Sequence, residues 1–261
     1  AVFESPNVGP ADIMKKVTHR PHPFAMAPLF GRSSVFAPGE VFEIEIALFG
    51  TGITYLPHFV HAFERLGRMG LGKGRGKYEL VSVRNAHNNA AVFDGRSGLN
   101  CALASPVPLD REGQCDTIVV EFLTPCRIRR DGSDLRRVSL PAIVGNIVRR
   151  YEALCRLYGG STFSFDRAAL ARAAGSARVE CRSLEWESST RYSKRRDMKM
   201  TMGGFVGTVL CVGDTSALYP VLKIGEAVQV GKNTSFGYGA IRVRDEASMK
   251  SEELPAKARA V

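Results

Sequence analysis

Two histidines, His58 and His61, stand three residues apart, with Arg65 and Arg68 at i+7 and i+10 from the first. On a helix these four residues share one face. Imidazole exchanges protons near neutrality, and guanidinium stabilises developing negative charge. The face therefore presents acid–base and charge-stabilising chemistry. Either histidine alone reads first as an ordinary surface residue, and a pair without partner ligands is weak ground for zinc. A third histidine, His22, lies in Arg20-Pro-His-Pro-Phe24, where two prolines hold it rigidly.

Three further segments carry charge or glycine in patterns that suit a polyanion. Gly70-Leu-Gly-Lys-Gly-Arg-Gly-Lys77 alternates glycine with Lys73, Arg75 and Lys77 and reads as a flexible cationic ribbon for a phosphate backbone. It fails the dinucleotide fingerprint and enters a strand rather than opening a helix. Arg191, Lys194, Arg195, Arg196 and Lys199 crowd one nine-residue segment against the single acid Asp197. Trp186 and Tyr192 nearby are candidates for stacking on unpaired bases. In Gly231-Lys-Asn-Thr-Ser-Phe-Gly237-Tyr-Gly239, glycines at 231, 237 and 239 permit positive φ, and successive amides can form an anion-binding concavity. Lys232, Asn233, Thr234 and Ser235 add donors there. A Walker A reading fails, because Asn233 follows the lysine and a strand, not a helix, comes next.

The elements that must position these residues follow from periodicity. VFEIEIALF at 41–49 predicts a strand. A helix over 55–68 has Thr54 as its expected N-cap and Pro57 in its first turn. Its apolar stripe is Leu56, Phe59, Val60, Phe63 and Leu66, opposite the histidines. Strands at 78–83 and 90–94 follow, then an irregular connector over 95–116. The second half predicts a strand at 117–123 and a helix over 140–158 closed by Gly159-Gly160. An Ala-rich helix at 166–174 ends at Gly175, and strands follow at 178–186 and 200–212. A short helix from an Asp214 cap, a short strand at 227–230, the glycine loop and a last strand at 240–244 complete the chain. Without the Ala-rich insert, this half reads β-α-β-β-α-β, the ferredoxin-like unit, while the first half reads β-α-β-β and fades. The expected fold class is α+β with two ferredoxin-like domains in tandem, the first less regular. Residues 1–113 would hold the histidine helix, 114–244 the glycine loop, and 245–261 a mobile tail.

Thirty-six Lys and Arg against 26 Asp and Glu give a net charge of +10. The tail contributes four acids and three bases, so the basic excess belongs to the folded body and favours a polyanionic partner. Six cysteines are never closer than 11 residues apart, which excludes a CxxC zinc pattern and predicts small buried hydrophobes. The scattered carboxylates give little support to a metal-dependent nuclease, so neither metal nor cofactor is expected. The N-terminal residues lack the layout of a signal peptide, and no apolar run approaches the roughly 18 residues of a membrane span. The expectation is a soluble, cytoplasmic protein with no membrane partner.

The residues quoted above resemble the RAMP-type endoribonucleases that process CRISPR precursor RNA. The C-terminal likeness runs from Arg191-Tyr-Ser through Met198-Lys-Met-Thr-Met-Gly203-Gly-Phe-Val-Gly207 and Leu222-Lys-Ile-Gly-Glu226 to Val230–Gly239. Its most specific phrase is Gly-Lys-x-Thr-Ser-x-Gly-x-Gly before a last strand. The N-terminal likeness rests on Arg20–Phe24 and on the helix followed by Gly70–Leu80. In one departure, Gln229 stands where the fuller loop pattern has a glycine. The resemblance implies tandem ferredoxin-like domains, a glycine loop that contacts RNA, and metal-independent attack of a ribose 2′-hydroxyl on the adjacent phosphate. The ends left would be a 2′,3′-cyclic phosphate and a 5′-hydroxyl. It implies His58 or His61 as general base or acid, assistance from Tyr55, and charge stabilisation by Arg65, Arg68 or Lys73. CRISPR repeat RNA is then the partner, with retention of the cut product left open. The alternative is a non-catalytic crRNA-binding subunit that works beside other CRISPR effector subunits.

Overall fold

The computed structural model of the chain describes residues 20–29, 35–72, 74–104, 115–130, 132–160, 164–193 and 197–247. These fall into two compact units, one drawn from Ala1–Ala47 with Asp110–Val261 and the other from Leu48–Leu109. The fold is α+β with two ferredoxin-like domains in tandem, the first less regular.

The smaller unit is built around α1 (Leu56–Met69). Val60 and Gly67 are buried, Leu56, Phe59, Phe63 and Leu66 are half-buried, and His58, His61, Arg65 and Arg68 are exposed. This is the stripe that the spacing predicts. Thr54 does not cap the helix; its hydroxyl donates to Thr51 O within a 3-10 turn over Gly50–Tyr55. That turn runs straight into α1, so the leading amide of Leu56 already finds Ile53 O. Beyond α1, β3 (Ser82–Arg84), β4 (Ala91–Asp94) and β5 (Gly98–Leu99) form an antiparallel sheet. Residues 78–81 are not strand. Instead Tyr78 anchors to α1, its amide donating to Gly67 O at 3.3 Å and its hydroxyl to Phe63 O at 2.9 Å.

In the larger unit β1 (Phe24–Pro28) pairs with β2 (Ile44–Leu48). A four-stranded antiparallel sheet follows from β6 (Thr117–Cys126), β9 (Arg178–Ser193), β10 (Met198–Val212) and β11 (Ile241–Asp245), ordered β11-β6-β10-β9. A small hairpin, β7 (Arg129–Arg130) with β8 (Ser133–Asp134), leaves the end of β6. Two helices cross the sheet in ferredoxin-like positions: α2 (Leu140–Leu154), and α4 (Tyr219–Val228). Leu140, Ile143 and Ile147 on one and Leu222, Ile224 and Val228 on the other are buried in the core, as are Ile118, Val120 and Phe122 of β6. The Ala-rich helix α3 (Arg167–Ser176) is capped by Asp166, whose carboxylate accepts from Ala169 N. Arg167 pairs with the buried Glu152 of α2.

Two expected elements change. Residues 227–228 end a helix, so no strand forms at 227–230. The helix itself begins at Tyr219 rather than at an Asp214 cap, because the Thr215 carbonyl accepts from Leu218 N and Tyr219 N. Strands β9 and β10 are also longer than expected and meet near the basic segment. Among the described residues no helix is long and apolar enough to cross a membrane.

Candidate nucleic-acid interface

The glycine loop lies between α4 and β11. At its base Val230 N donates to Gly239 O at 2.8 Å and Gly239 N to Pro125 O at 3.1 Å. Gly231 N donates to Asn146 Oδ1 of α2 at 2.7 Å, and Lys232 N to Arg127 O at 2.8 Å. Gly231 and Gly239 have φ of +91° and +76°, and a Cβ at either would collide with main chain, of Arg127 and Val230 respectively. Only glycine fits both the conformation and the space. Within the tip, Asn233 adopts φ +68°, and its carbonyl accepts from Phe236 N and Tyr238 N. Most of the loop's amides are thus spent on holding its shape. Among the described residues none accepts from the consecutive amides of Asn233, Thr234 and Ser235, which open the 3-10 turn Thr234–Phe236. Lys232 is exposed, Asn233 and Ser235 are half-buried, and Thr234 is buried. The loop therefore offers a rigid backbone edge with one free-standing cation, an arrangement suited to a phosphate.

Beside the loop lies a feature the sequence reading passed over. Residues 127–137 hold five arginines, Arg127, Arg129, Arg130, Arg136 and Arg137, around the β7–β8 turn. Arg127 grips Asp134 through Nε and Nη2, both at 2.9 Å, and holds that carboxyl below the usual carboxylate range. Arg129 lies 3.6 Å from the same carboxylate and donates to Gly132 O. Arg129, Arg130, Arg136 and Arg137 are exposed. The Arg127 carbonyl receives Lys232 N, so hairpin and loop are one surface. The signal that marks it in the sequence is the arginine density of residues 127–137.

Trp186 is not an open stacking platform. Arg136 covers its ring at 4.3 Å, Phe205 meets it edge-on at 5.2 Å, and its indole N–H donates to Ser188 Oγ at 3.0 Å. A Cβ at Gly203 would fall 2.8 Å from that nitrogen, so the Gly203 backbone also packs close against the indole. In the basic segment, Lys199 is exposed on β10, in register with Tyr192. Arg191 pairs through its backbone with Met200. Lys194, Arg195 and Arg196, and the side chains of Arg191 and Tyr192, lie outside the described residues.

In the smaller unit the polar face of α1 presents His58, His61, Arg65 and Arg68 to solvent, and the Tyr55 ring lies 5.7 Å from that of His58. The glycine-rich stretch after α1 is not a flexible ribbon. Leu71 and Gly76 exchange backbone hydrogen bonds at 2.8 and 3.0 Å, and Arg75 N closes on Gly72 O, making a tight turn pinned by Tyr78. Arg75 and Lys77 are exposed on it, and Lys73 lies outside the described residues. His22, in the larger unit, is half-buried with its ring 5.6 Å from Phe24. The loop and the arginine hairpin thus share one unit, and the α1 histidines with Arg75 and Lys77 share the other. Among the described residues no three His, Cys, Asp or Glu side chains are grouped to hold a metal ion. Of the cysteines, Cys115, Cys126 and Cys211 are buried as expected, but Cys101 and Cys181 are exposed, since both lie on surface segments of their units.

Comparison with known proteins agrees with these features. A family model described as CRISPR-associated endoribonuclease Cas6 matches residues 120–241, and one described as an N-terminal domain matches residues 1–103. An uncharacterized protein of Archaeoglobus fulgidus is 30% identical over 231 residues, 83% of this chain and 71% of that one. A Cas6 product complex superposes with a TM-score of 0.57 at 19% identity, covering 89% of this chain and 87% of that one. Thermus thermophilus Cas6 superposes at 0.54 and 17% identity, covering 89% and 84%. Residues 120–241 thus belong to the CRISPR-associated Cas6 endoribonuclease family, and the chain as a whole shares the fold of the Cas6 structures.

Proposed function

We propose that this protein binds CRISPR repeat RNA and cuts precursor crRNA by metal-independent transesterification. A general base takes the proton of a ribose 2′-hydroxyl, the 2′-oxygen attacks the adjacent phosphorus, and the bond from phosphorus to the 5′-oxygen breaks. A general acid protonates that leaving oxygen, giving 2′,3′-cyclic phosphate and 5′-hydroxyl ends. His58 or His61 serves as general base or acid, Tyr55 assists, and Arg65, Arg68 or Lys73 stabilises phosphorane charge. What supports these roles is exposure of the histidines and both arginines on one face of α1, with Tyr55 at its start.

The observation that carries the reading is the glycine loop, whose backbone is held rigid while Lys232 and the amides of Asn233 to Ser235 face no partner among the described residues. The five arginines of residues 127–137 extend that surface. Arg75, Lys77, Arg191, Lys194, Arg195, Arg196 and Lys199 supply further phosphate contacts. Contacts to phosphate position the RNA without reading its sequence, and they persist after the cut, so the product stays bound. The division of labour places the catalytic helix in residues 1–113 and the RNA-holding loop in 114–244.

The test is incubation of the purified chain with end-labelled repeat RNA in excess EDTA. One cut, leaving a cyclic phosphate on the upstream fragment, is the expected result. Tight binding without a cut would favour the non-catalytic crRNA-binding subunit, which would work with other CRISPR effector subunits.

A further inference from the structure

Gln229 is the residue that links α4 to the glycine loop, and nothing about its local environment favours a glutamine. Its backbone sits at φ +60° and ψ 164°, a region almost reserved for glycine. Its side chain is 4% exposed. The amide oxygen Oε1 is buried with no hydrogen-bond partner among the described residues. Strain, burial and an orphaned acceptor are all borne for one contact, the donation from Nε2 to Met26 O of β1 at 2.7 Å. Glycine at this position would avoid all three penalties.

Neighbouring side chains reach the same segment in the same manner. Arg150 Nε donates to Val228 O at 2.6 Å, and its Nη2 to Phe24 O at 3.4 Å. Tyr158 donates its hydroxyl to Pro21 O at 3.0 Å, from a π-helical turn over Cys155–Gly159 that continues α2. Main-chain carbonyls at 21, 24 and 26 are thus gripped by three donors from around the root of the loop. At its tip, a Cβ on Gly237 would touch Pro28 at 3.5 Å. Arg150 has no carboxylate within ion-pair distance among the described residues, and burial pushes its guanidinium down to about 10. That cation, too, is held there at a cost.

We propose that Gln229 is a positioning residue for RNA cleavage: it locks β1 and the preceding Arg20 and His22 in one register against the glycine loop. An RNA held on the loop then meets that segment at a fixed offset. The inference rests on the reading that the loop binds RNA. The loop's own shape depends on Asn146, Arg127 O and Pro125 O rather than on Gln229, so binding should outlast the loss of this tie.

Gln229→Gly removes the tie and relieves the backbone, while Gln229→Met keeps the bulk and removes the donor. Each is measured for melting temperature, for Kd toward a repeat RNA blocked by 2′-deoxy substitution, and for single-turnover cutting at saturating protein. Both variants should cut at least about tenfold more slowly, because a bound strand whose register is no longer fixed is less often aligned for attack. Their Kd should stay within about threefold of wild type, which separates positioning from binding. Gln229→Gly should melt no lower than wild type, an outcome that a purely structural role for the glutamine does not combine with slower cutting. Wild-type cutting by either folded variant would overturn the inference alone, as would a loss of affinity that accounts for the slower rate. Wild-type protein that neither binds nor cuts repeat RNA would overturn the inference and the reading beneath it together.

Discussion

Gly231→Ala puts a methyl group where φ is +91° and where the new Cβ would lie 2.9 Å from the Arg127 carbonyl carbon, with the carbonyl oxygen closer still. The left-handed backbone costs an L-residue about 1–2 kcal/mol. Relief of the collision requires the loop to move off Arg127, and that breaks the 2.8 Å bond from Lys232 N to Arg127 O, a loss of about 1 kcal/mol. The variant should be destabilised by about 2–3 kcal/mol, or roughly 4–12 °C in Tm for a protein of this size. Lys232 leaves its place with the loop, so Kd for uncleavable repeat RNA should weaken about 10–100-fold, the value of one or two charged contacts. Gly237→Ala is the control. Its φ of +85° imposes similar strain, but its Cβ would only touch Pro28 Cδ at 3.5 Å, an ordinary contact. Thermal denaturation and filter binding of the two variants side by side give the answer. Equal losses in both, or normal RNA affinity in Gly231→Ala, would refute the reasoning.

Other outcomes follow from the same geometry. His58→Ala combined with His61→Ala should slow single-turnover cutting by about 10²–10⁴-fold with little change in Kd, and unchanged cutting would remove the histidines from the mechanism. Arg129→Ala with Arg137→Ala should lower the salt dependence of RNA affinity, by about 0.7–0.9 in the log–log slope for each lost phosphate contact; an unchanged slope would place the hairpin off the RNA path. Burial pushes the Cys126 and Cys211 thiols up to about 12, so their thiolates are scarce below that pH. Iodoacetamide at pH 8 should therefore label the exposed Cys101 and Cys181 in the folded protein, and reach Cys126 and Cys211 only after denaturation, as peptide mass mapping would show.

Much of this architecture was legible because it repeats at short range. The stripe from Leu56 to Leu66 predicts both α1 and the face that carries His58 and His61, and the helix has that face exposed. The order of elements after residue 117 led to the ferredoxin-like sheet for the same reason. Misreadings occur where distant contacts decide. Val228-Gln-Val230 beside a glycine looks like a short strand, yet Gly225 lets α4 press close to Ile147 of α2, and the segment ends a helix. Glycines at 70 to 76 suggest flexibility, but Tyr78, bound back to Gly67 and Phe63, closes the turn. Strand β9 runs on to Ser193 through polar residues because its backbone ladder with β10 needs no apolar side chain. The bond from Gln229 to Met26 joins residues 203 positions apart, and no local pattern could announce it.

The central claim is that the RNA's own 2′-hydroxyl is the nucleophile. The most direct measurement compares two repeat RNAs, one unmodified and one with a single 2′-deoxy nucleotide at the cut site, incubated with the protein in EDTA. Cleavage of the first at one phosphodiester, with the second bound equally well and left intact, is the predicted result. Cutting of the deoxy RNA at the same bond would contradict the account, as would a cut that appears only when a divalent metal is restored.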